Sequence, residues 1–132
     1  MVAERLIKDG KAKLNQGNIE AAIKDFDLAI RSNPRDPNSY IVLGETYLHL
    51  HNYAKAVDTL AAALLLDPNS GQANYMLALA HNFRGENELA IQHAQKSTQI
   101  FSDTKDMENF RKSLLLLQGL TQANKSPAKH KI

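Results

Sequence analysis

The chain has 132 residues, a length that fits one domain, and it contains no cysteine, which excludes disulfides and thiolate metal sites. Its 16 lysines and arginines exceed its 14 acids by two, but three lysines fall in residues 121–132, and without them the count is 13 against 14. The body of the chain is therefore close to neutral and lacks the basic stripe that nucleic-acid binding requires.

No apolar run approaches the roughly 18 residues of a membrane-spanning helix. Charged residues such as Glu4, Lys8 and Asp9 also interrupt any apolar segment of a secretory signal. We therefore expect a soluble, cytoplasmic chain that does not bind membranes.

The first predicted unit covers residues 3–36 and consists of two helices. Its second helix places Ala22, Phe26 and Ala29 on one face, the spacing typical of an amphipathic helix. Pro34 follows that helix and ends it, because proline cannot continue a helical hydrogen-bond pattern.

The first helix of this unit is polar where the next unit is apolar. Asp9 and Lys13 stand 34 residues before Leu43 and Tyr47. A terminal repeat needs a polar outer face. This pattern predicts that no repeat precedes the unit and that Met1 lies close to the start of the array.

The second predicted unit, residues 37–70, is again a pair of amphipathic helices. Gly44 falls where the two helices need close approach. His51 and Asn52 lie between the helices, and we expect Asn52 to take the left-handed conformation that ends the first one. The apolar face of the first helix is formed by Tyr40, Leu43, Gly44 and Tyr47, and that of the second by Val57, Leu60 and Leu64.

Two junctions between units combine a helix stop with a helix start. Asp36 is the predicted N-cap of the second unit, with Pro37 at the first helical position. The third unit follows Pro68 in the same way, and either Asn69 or Ser70 is expected to cap it.

Similar residues recur at a step of 34 along the chain, and a helix-turn-helix unit of that period is typical of the tetratricopeptide repeat family. Residues 3–104 resemble that family. The resemblance implies an all-α fold, a right-handed α-solenoid of three helix-turn-helix repeats at about 3–36, 37–70 and 71–104. The matching positions are Ala22, Ala56 and Ala90; Ile23, Val57 and Ile91; Gly10, Gly44 and Ala78; Gly17, His51 and Gly85; and Pro34 and Pro68.

A seventh helix at about residues 105–118 is expected to cap the exposed face of the third repeat. We expect Asp103 to cap its start and Gly119 to end it. The repeat domain would then span residues 1–120, followed by a disordered basic tail at 121–132. The apolar face of the capping helix is formed by Met107, Phe110, Leu114 and Leu117.

The sequence contains no recognisable catalytic or metal-binding constellation. His49 and His51 point to different helix faces, and His81 and His93 lie on different helices, so no metal site is predicted. A nucleophile with its base and a glycine-rich phosphate loop are also missing. We therefore expect a protein that is not an enzyme and has no cofactor.

The first helices of such solenoids line a concave face. The resemblance places that face one stripe away from the packing residues, and here it is unusually apolar, which favours a groove for a partner peptide or helix. The alternative is that some of these residues pack on each other or on the tail. The predicted groove residues are Ile7, Lys11, Leu14, Ile41, Glu45, Leu48, His49, Tyr75, Leu79, Asn82 and Phe83.

Family members that hold the C-terminal carboxylate of chaperones share a clamp of basic and amide residues. Only one of the matching positions here is cationic, so the resemblance argues against binding of a chaperone tail. Those positions are Ile7, Lys11, Val42, Gln72 and Met76.

Four consecutive leucines at 114–117 surround the capping helix, although a helix that covers one neighbour needs only about three apolar residues in seven. Either the groove and the tail cover Leu116 and Leu115, or these side chains form a surface for self-association. The sequence thus predicts a non-catalytic protein-interaction module. The alternative is a structural scaffold that forms homo-oligomers through its C-terminal helix.

Overall fold

The computed structural model describes residues 2–124, which form seven α-helices and no strand. Within this range no helix combines the length and the apolar character that crossing a membrane would require. The predicted all-α class is confirmed. The helices are α1 (Val2–Asn15), α2 (Ile19–Ser32), α3 (Pro37–His49), α4 (Tyr53–Leu66), α5 (Gly71–Phe83), α6 (Asn87–Asp103) and α7 (Met107–Asn124).

The helices divide into two compact units. Unit 1 extends to Pro68 and contains α1 to α4, while unit 2 begins at Asn69 and contains α5 to α7. In unit 1, α1 packs against α2, α2 against α3, and α3 against α4. In unit 2, α6 packs against both α5 and α7.

The core of unit 1 is centred on Phe26 of α2, which is fully buried with Ala22 and Leu43. Apolar burial of this kind is the main source of stability, at about 25 cal/mol per Å² of apolar surface removed from water. The side chains packed around this cluster are Leu14, Ile23, Ile30, Val42 and Tyr47.

Two glycines allow the helices of each pair in unit 1 to approach closely. A Cβ atom built on Gly44 would lie 2.5 Å from Cγ of Leu60, and one built on Gly10 would lie 2.5 Å from Cε1 of Phe26. Both distances are far shorter than a carbon–carbon contact of about 3.5–4.0 Å. The predicted close approach at Gly44 is confirmed.

Unit 2 is held together by an apolar cluster and by a buried pair of hydroxyl groups. Ala78, Ala90, Ala94 and Leu120 form the cluster. Ser97 of α6 donates a hydrogen bond to the carbonyl oxygen of Gly71 at 2.9 Å. The Ser97 and Ser113 hydroxyl oxygens lie 2.9 Å apart, and both side chains are fully buried, which links α7 to α6.

The helix starts follow the capping chemistry expected from the sequence. Asp36 Oδ1 accepts a hydrogen bond from the backbone N–H of Asn38 at 3.0 Å. Ser70 Oγ accepts one from the N–H of Ala73 at 3.0 Å, so Ser70 rather than Asn69 is the cap of α5. A side-chain cap satisfies one of the N–H groups that the first helical turn leaves unpaired.

The turn within each helix pair contains one residue with positive φ, and all three share the 34-residue register. They are Gly17 (φ 80°), His51 (φ 60°) and Gly85 (φ 78°). The expectation that Asn52 takes this conformation is wrong. Asn52 is instead the N-cap of α4, where its Oδ1 accepts from the N–H of Lys55 at 3.3 Å.

The start of α7 differs from the sequence expectation. Asp103 does not cap α7, because it is the last residue of α6, which has 17 residues where α2 and α4 have 14. Asp106 takes that role, and its Oδ1 accepts from the N–H of Asn109 at 3.3 Å. Lys105, at φ 59°, makes the turn between the two helices.

The end of α7 also differs, since the helix continues through Gly119 to Asn124. Leu120 is buried in the cluster of unit 2, and this packing favours a continuous helix past the glycine. Residues 121–124 of the predicted tail are therefore helical. The rest of that tail lies outside the described residues, so its disorder stays a prediction.

Candidate functional site

The most prominent apolar surface among the predicted groove residues is a strip along α5. Tyr75, Leu79 and Phe83 stand at i, i+4 and i+8, which places them on one side of the helix. Tyr75 and Leu79 are half-buried, and Phe83 is 58% exposed. We call these three residues the α5 strip; exposed Asn82 lies beside it.

Helical periodicity explains why this strip faces outward. The buried side chains of α5 include Ala73, Met76, Leu77 and Ala80, and Leu77 packs almost completely out of solvent. The faces of α5 that carry these residues are therefore buried in the interior. The α5 strip is therefore the apolar part of α5 that keeps contact with solvent.

The predicted groove residues of unit 1 form a more polar surface on α1 and α3, which contact each other. Lys11 and His49 are exposed, while Ile7, Leu14 and Glu45 are half-buried. Leu14 also packs against the Phe26 cluster. Charged and polar groups therefore dominate what this face offers to a partner.

Two predicted apolar anchors of unit 1 have little exposed surface. Ile41 is 6% exposed and Leu48 is 8% exposed. Both side chains are buried in the core, so neither presents a large apolar area to a partner.

The predicted self-association residues occupy different environments on α7. Leu115 is 69% exposed. Leu116 packs against the apolar cluster of unit 2, which contains Ala90 and Leu120. Leu115 is therefore the more exposed of the two, whereas Leu116 is half-buried.

A further exposed leucine was not singled out by the sequence reasoning. Leu65 near the end of α4 is 86% exposed, and its neighbour Leu66 is also exposed. The signal was the run Leu64-Leu65-Leu66, since consecutive leucines point in different directions around a helix, as they do at 114–117.

The structure also brings into contact two histidines that were expected to lie apart on different helices. The rings of His81 on α5 and His93 on α6 are stacked, with centroids 5.4 Å apart and planes inclined by 7°. His81 Nδ1 lies 2.9 Å from Oε1 of Glu86. His93 Nδ1 lies 3.0 Å from Oδ1 of Asn74, which is fully buried.

The hydrogen bonds of Asn74 determine which nitrogen of His93 carries a proton. Asn74 Nδ2 donates to the carbonyl oxygen of Ser70 at 2.9 Å, so Oδ1 is the atom that faces His93. That oxygen can only accept, and neutral His93 is therefore protonated at Nδ1. The carboxylate of Glu86 likewise accepts from Nδ1 of His81.

Burial and neighbouring charges shift the titration of this cluster. Desolvation lowers the pKa of His93, and charges on His81 and Lys96 lower it further. The hydrogen bond from His81 is the main reason that the pKa of Glu86 is below its usual range, with Arg84 and the charge of His81 adding to it. The cluster thus resists a positive charge at His93.

The 34-residue register provides the signal that could have revealed this contact. His81 and His93 occupy the positions of Lys13 and Asp25 in the first repeat. There, Lys13 Nζ donates to Oδ2 of Asp25 at 2.7 Å. Once one pair of this register is known to touch, the period predicts that the other does as well.

The histidine pair is unsuited to chelating a metal ion. Within residues 2–124 no group of three or more His, Cys, Asp or Glu side chains is placed to hold one. The lone pairs of imidazole lie in the ring plane, and nearly parallel stacked planes cannot direct two of them at one ion.

Comparison with known proteins identifies the class of this helical-repeat fold. A family model described as Tetratricopeptide repeat matches residues 8–70 and again residues 41–103. Together these matches cover most of the chain. The chain belongs to the tetratricopeptide repeat family, which confirms the resemblance found in the sequence.

One relative is Superkiller protein 3 of Schizosaccharomyces pombe, 34% identical over 82 residues, which are 62% of this chain and 6% of that protein. Among solved structures, the first TPR of Spaghetti (RPAP3) bound to the HSP90 peptide SRMEEVD has a TM-score of 0.84 at 20% identity, covering 95% of this chain and 94% of that one. PcrH in complex with the chaperone binding region of PopD has a TM-score of 0.86 at 18% identity, with 92% of each chain covered. These structures share the fold of this protein.

Proposed function

We propose that this chain is a non-catalytic protein-interaction module that binds a peptide or helix of a partner through the predicted groove residues, above all those of α5. The observation that carries the proposal is the α5 strip, where two aromatic side chains and a leucine keep contact with solvent on one side of a helix. Such a row of anchors at helical spacing suits the apolar face of an amphipathic helix or alternate side chains of an extended segment.

Solved relatives of the fold support binding of a peptide as the general activity. Spaghetti was solved with an HSP90 peptide and PcrH with a segment of PopD, so this fold accommodates chain segments of other proteins. At 18–20% identity the likeness does not carry the ligand over to this chain. The partner is therefore proposed from the chemistry of the α5 strip alone.

A chaperone tail ending in acidic residues is a poor match for this surface. The positions aligned with the carboxylate clamp provide Ile7, Val42, Gln72 and Met76, and Met76 is buried. Lys11 is the single cation of the set. One exposed lysine gives little binding energy to a carboxylate in water, so we propose that the partner segment is apolar rather than acidic.

The test starts from a library of displayed peptides selected on the full chain, from which one peptide is labelled and its affinity measured by fluorescence anisotropy. We expect micromolar affinity, because the strip is small, and only a weak dependence on salt, because apolar contacts dominate. Tyr75→Ala combined with Phe83→Ala should abolish binding while the far-UV circular dichroism stays that of the wild type.

The matched control is Leu89→Ala, which removes an exposed leucine from α6 of the same unit. It should leave the affinity unchanged. The HSP90 peptide SRMEEVD serves as the acidic control and should not bind. Full binding by the double variant would refute the α5 strip as the site, and a steep loss of affinity with moderate salt would show that charge drives binding instead.

A second candidate function is self-association through α7, favoured by the exposure of Leu115. A leucine at 69% exposure on the surface of a helix leaves apolar area in water that a second copy of the chain could cover. Because Leu116 is half-buried against the core of unit 2, this candidate now rests mainly on Leu115.

A further inference from the structure

We propose that the stacked pair of His81 and His93 is a proton-sensitive latch between α5 and α6, which is closed while His93 is neutral and opens when His93 takes up a proton. The two rings meet at the interface of these helices, and each is held by a hydrogen-bond acceptor at its Nδ1. The latch acts on the stability of unit 2, whether or not a partner is bound.

In the closed state two sets of hydrogen bonds hold the stacked rings at the interface. The Ser70 carbonyl accepts from Asn74 on α5, and Asn74 accepts from His93 on α6. Glu86, in the turn that joins the two helices, accepts from His81. Every one of these bonds is compatible with neutral histidine rings protonated at Nδ1.

Proton uptake destabilises the stacked arrangement, because a positive charge on His93 would directly face one on His81. An imidazolium at His81 can retain its bond to the carboxylate of Glu86. An imidazolium at His93 would donate from Nδ1 to the neutral oxygen of Asn74 and lies 5.4 Å, centroid to centroid, from the ring of His81. Two like charges at this separation repel strongly in a partly buried site, and moving the rings apart removes a contact that helps to hold α5 against α6.

The other charged groups around His93 do not offset this repulsion. Lys96, less than one turn further along α6, adds a positive charge, and Arg84 in the turn adds another near Glu86. Packing of α7 on α6 involves Ala90 and Ala94, and the charged side chains of α7, namely Glu108, Arg111 and Lys112, are exposed. Glu86 is therefore the acid that acts on the pair, and it is bonded to His81.

The direction of the pH dependence follows from linkage. The pKa of His93 is lowered in the folded chain from the ordinary 6.5, so the unfolded or opened state binds more protons. Stability from this group is fully present above about pH 6.5 and is lost as the pH falls below that value toward the folded pKa. Glu86 titrates below its ordinary pKa of 4.5, and this separates its effect from that of the histidines.

If α5 parts from α6, the α5 strip loses the support of its own helix pair. Binding of an apolar segment would then weaken on acidification, a consequence that rests on the proposed function. The latch itself can be tested without any partner, so a failure of the proposed function would leave that test intact.

Hydrogen–deuterium exchange of the full chain, corrected for the intrinsic effect of pH, measures the opening directly. Between about pH 7.5 and pH 5.5 we expect the opening equilibrium of protected amides in α5 and α6 to rise by as much as about tenfold, the value for one histidine that is neutral when folded and has an ordinary pKa when open. Amides of α2 in unit 1 should not show this rise.

His93→Gln removes the titrating group and should abolish the rise, whereas His49→Gln, an exposed histidine of unit 1, should retain it. If His93→Gln fails to fold, His81→Gln provides the second test and should reduce the rise, since it removes the facing charge. An exchange profile of the wild type that is the same at both pH values would overturn the proposal. So would a folded His93→Gln variant with the full pH response.

Discussion

The contact between Gly44 of α3 and Leu60 of α4 allows a sharp test of helix packing in unit 1. In an exposed helix interior, Gly→Ala stabilises by about 0.5–1 kcal/mol, because alanine loses less conformational freedom on folding. At Gly44 the new Cβ would lie 2.5 Å from Cγ and 2.6 Å from Cδ2 of Leu60, which is fully buried. Overpacking of this kind costs about 1–3 kcal/mol, so Gly44→Ala should lower the free energy of unfolding by up to about 2 kcal/mol.

Gly119 provides the matched control, because it also lies inside a helix but, among the described residues, nothing beyond its own helical backbone and chain neighbours lies within 4 Å of a Cβ built on it. Gly119→Ala should raise the free energy of unfolding by about 0.5–1 kcal/mol. The difference between the two variants removes the effect of helix propensity. It should equal the cost of overpacking alone, about 1–3 kcal/mol.

Urea unfolding followed by far-UV circular dichroism measures both variants, and a double-mutant cycle with Leu60→Ala assigns the cost to this contact. Leu60→Ala alone should cost about 2–5 kcal/mol through the cavity that it leaves. In that background Gly44→Ala should no longer destabilise, because its methyl group gains room. A Gly44→Ala variant as stable as Gly119→Ala would refute the packing described for α3 and α4.

Two further predictions concern buried hydroxyl groups and the surface of α7. Ser39 is fully buried and its hydroxyl has no hydrogen-bond partner within the described residues, so Ser39→Ala should stabilise the chain by about 1 kcal/mol in the same urea assay. Ser97→Ala removes the hydroxyl that bonds to Gly71 and Ser113, and it should destabilise the chain by about 1–3 kcal/mol. If α7 mediates self-association, sedimentation velocity should show a concentration-dependent species that Leu115→Glu converts to a folded monomer. A wild type that stays monomeric at high concentration would contradict this. Leu116→Glu should instead destabilise unit 2, because it places a charge against the apolar cluster.

Features with a local chemical cause were predictable from the sequence. Asp36 caps α3 because a carboxylate before a proline suits that position, and Ser70 caps α5 through its hydroxyl. Gly44 was recognised because a position that repeats as a small residue marks a close contact between helices. Each of these conclusions needs only a few neighbouring residues or the 34-residue period.

The bounds of α7 were not predictable from the period, because α6 is three residues longer than α2 and α4. This extension moves the start of α7 past the position that a strict repeat assigns, so Asp106 replaces Asp103 as its cap. Its end depends on the burial of Leu120, which is a tertiary contact. Single-sequence patterns carry no information on such a contact.

At the candidate site, too, the period predicts which side of a helix a residue lies on, whereas packing decides how deeply it is buried. The period places Tyr75, Leu79 and Phe83 on one stripe of α5, where Tyr75 and Leu79 are half-buried and Phe83 is exposed. It does not reveal that Ile41, which occupies on α3 the position of Tyr75 on α5, is almost fully buried, nor that Leu48 beside that stripe is. The depth of a side chain depends on the size of its neighbours, and these differ from repeat to repeat.

One pair of positions illustrates how repeats with the same backbone acquire different chemistry. In the first repeat, Lys13 and Asp25 form an ion pair at 2.7 Å, and in the third the same register holds the stacked rings of His81 and His93. The first pair is held by opposite charges, whereas histidine is the side chain whose ordinary pKa lies between weakly acidic and neutral pH. The small residues of the repeat determine how closely the helices pack, while this pair determines how their packing responds to protons. A single register can therefore be conserved in geometry and still give each helix pair its own pH dependence.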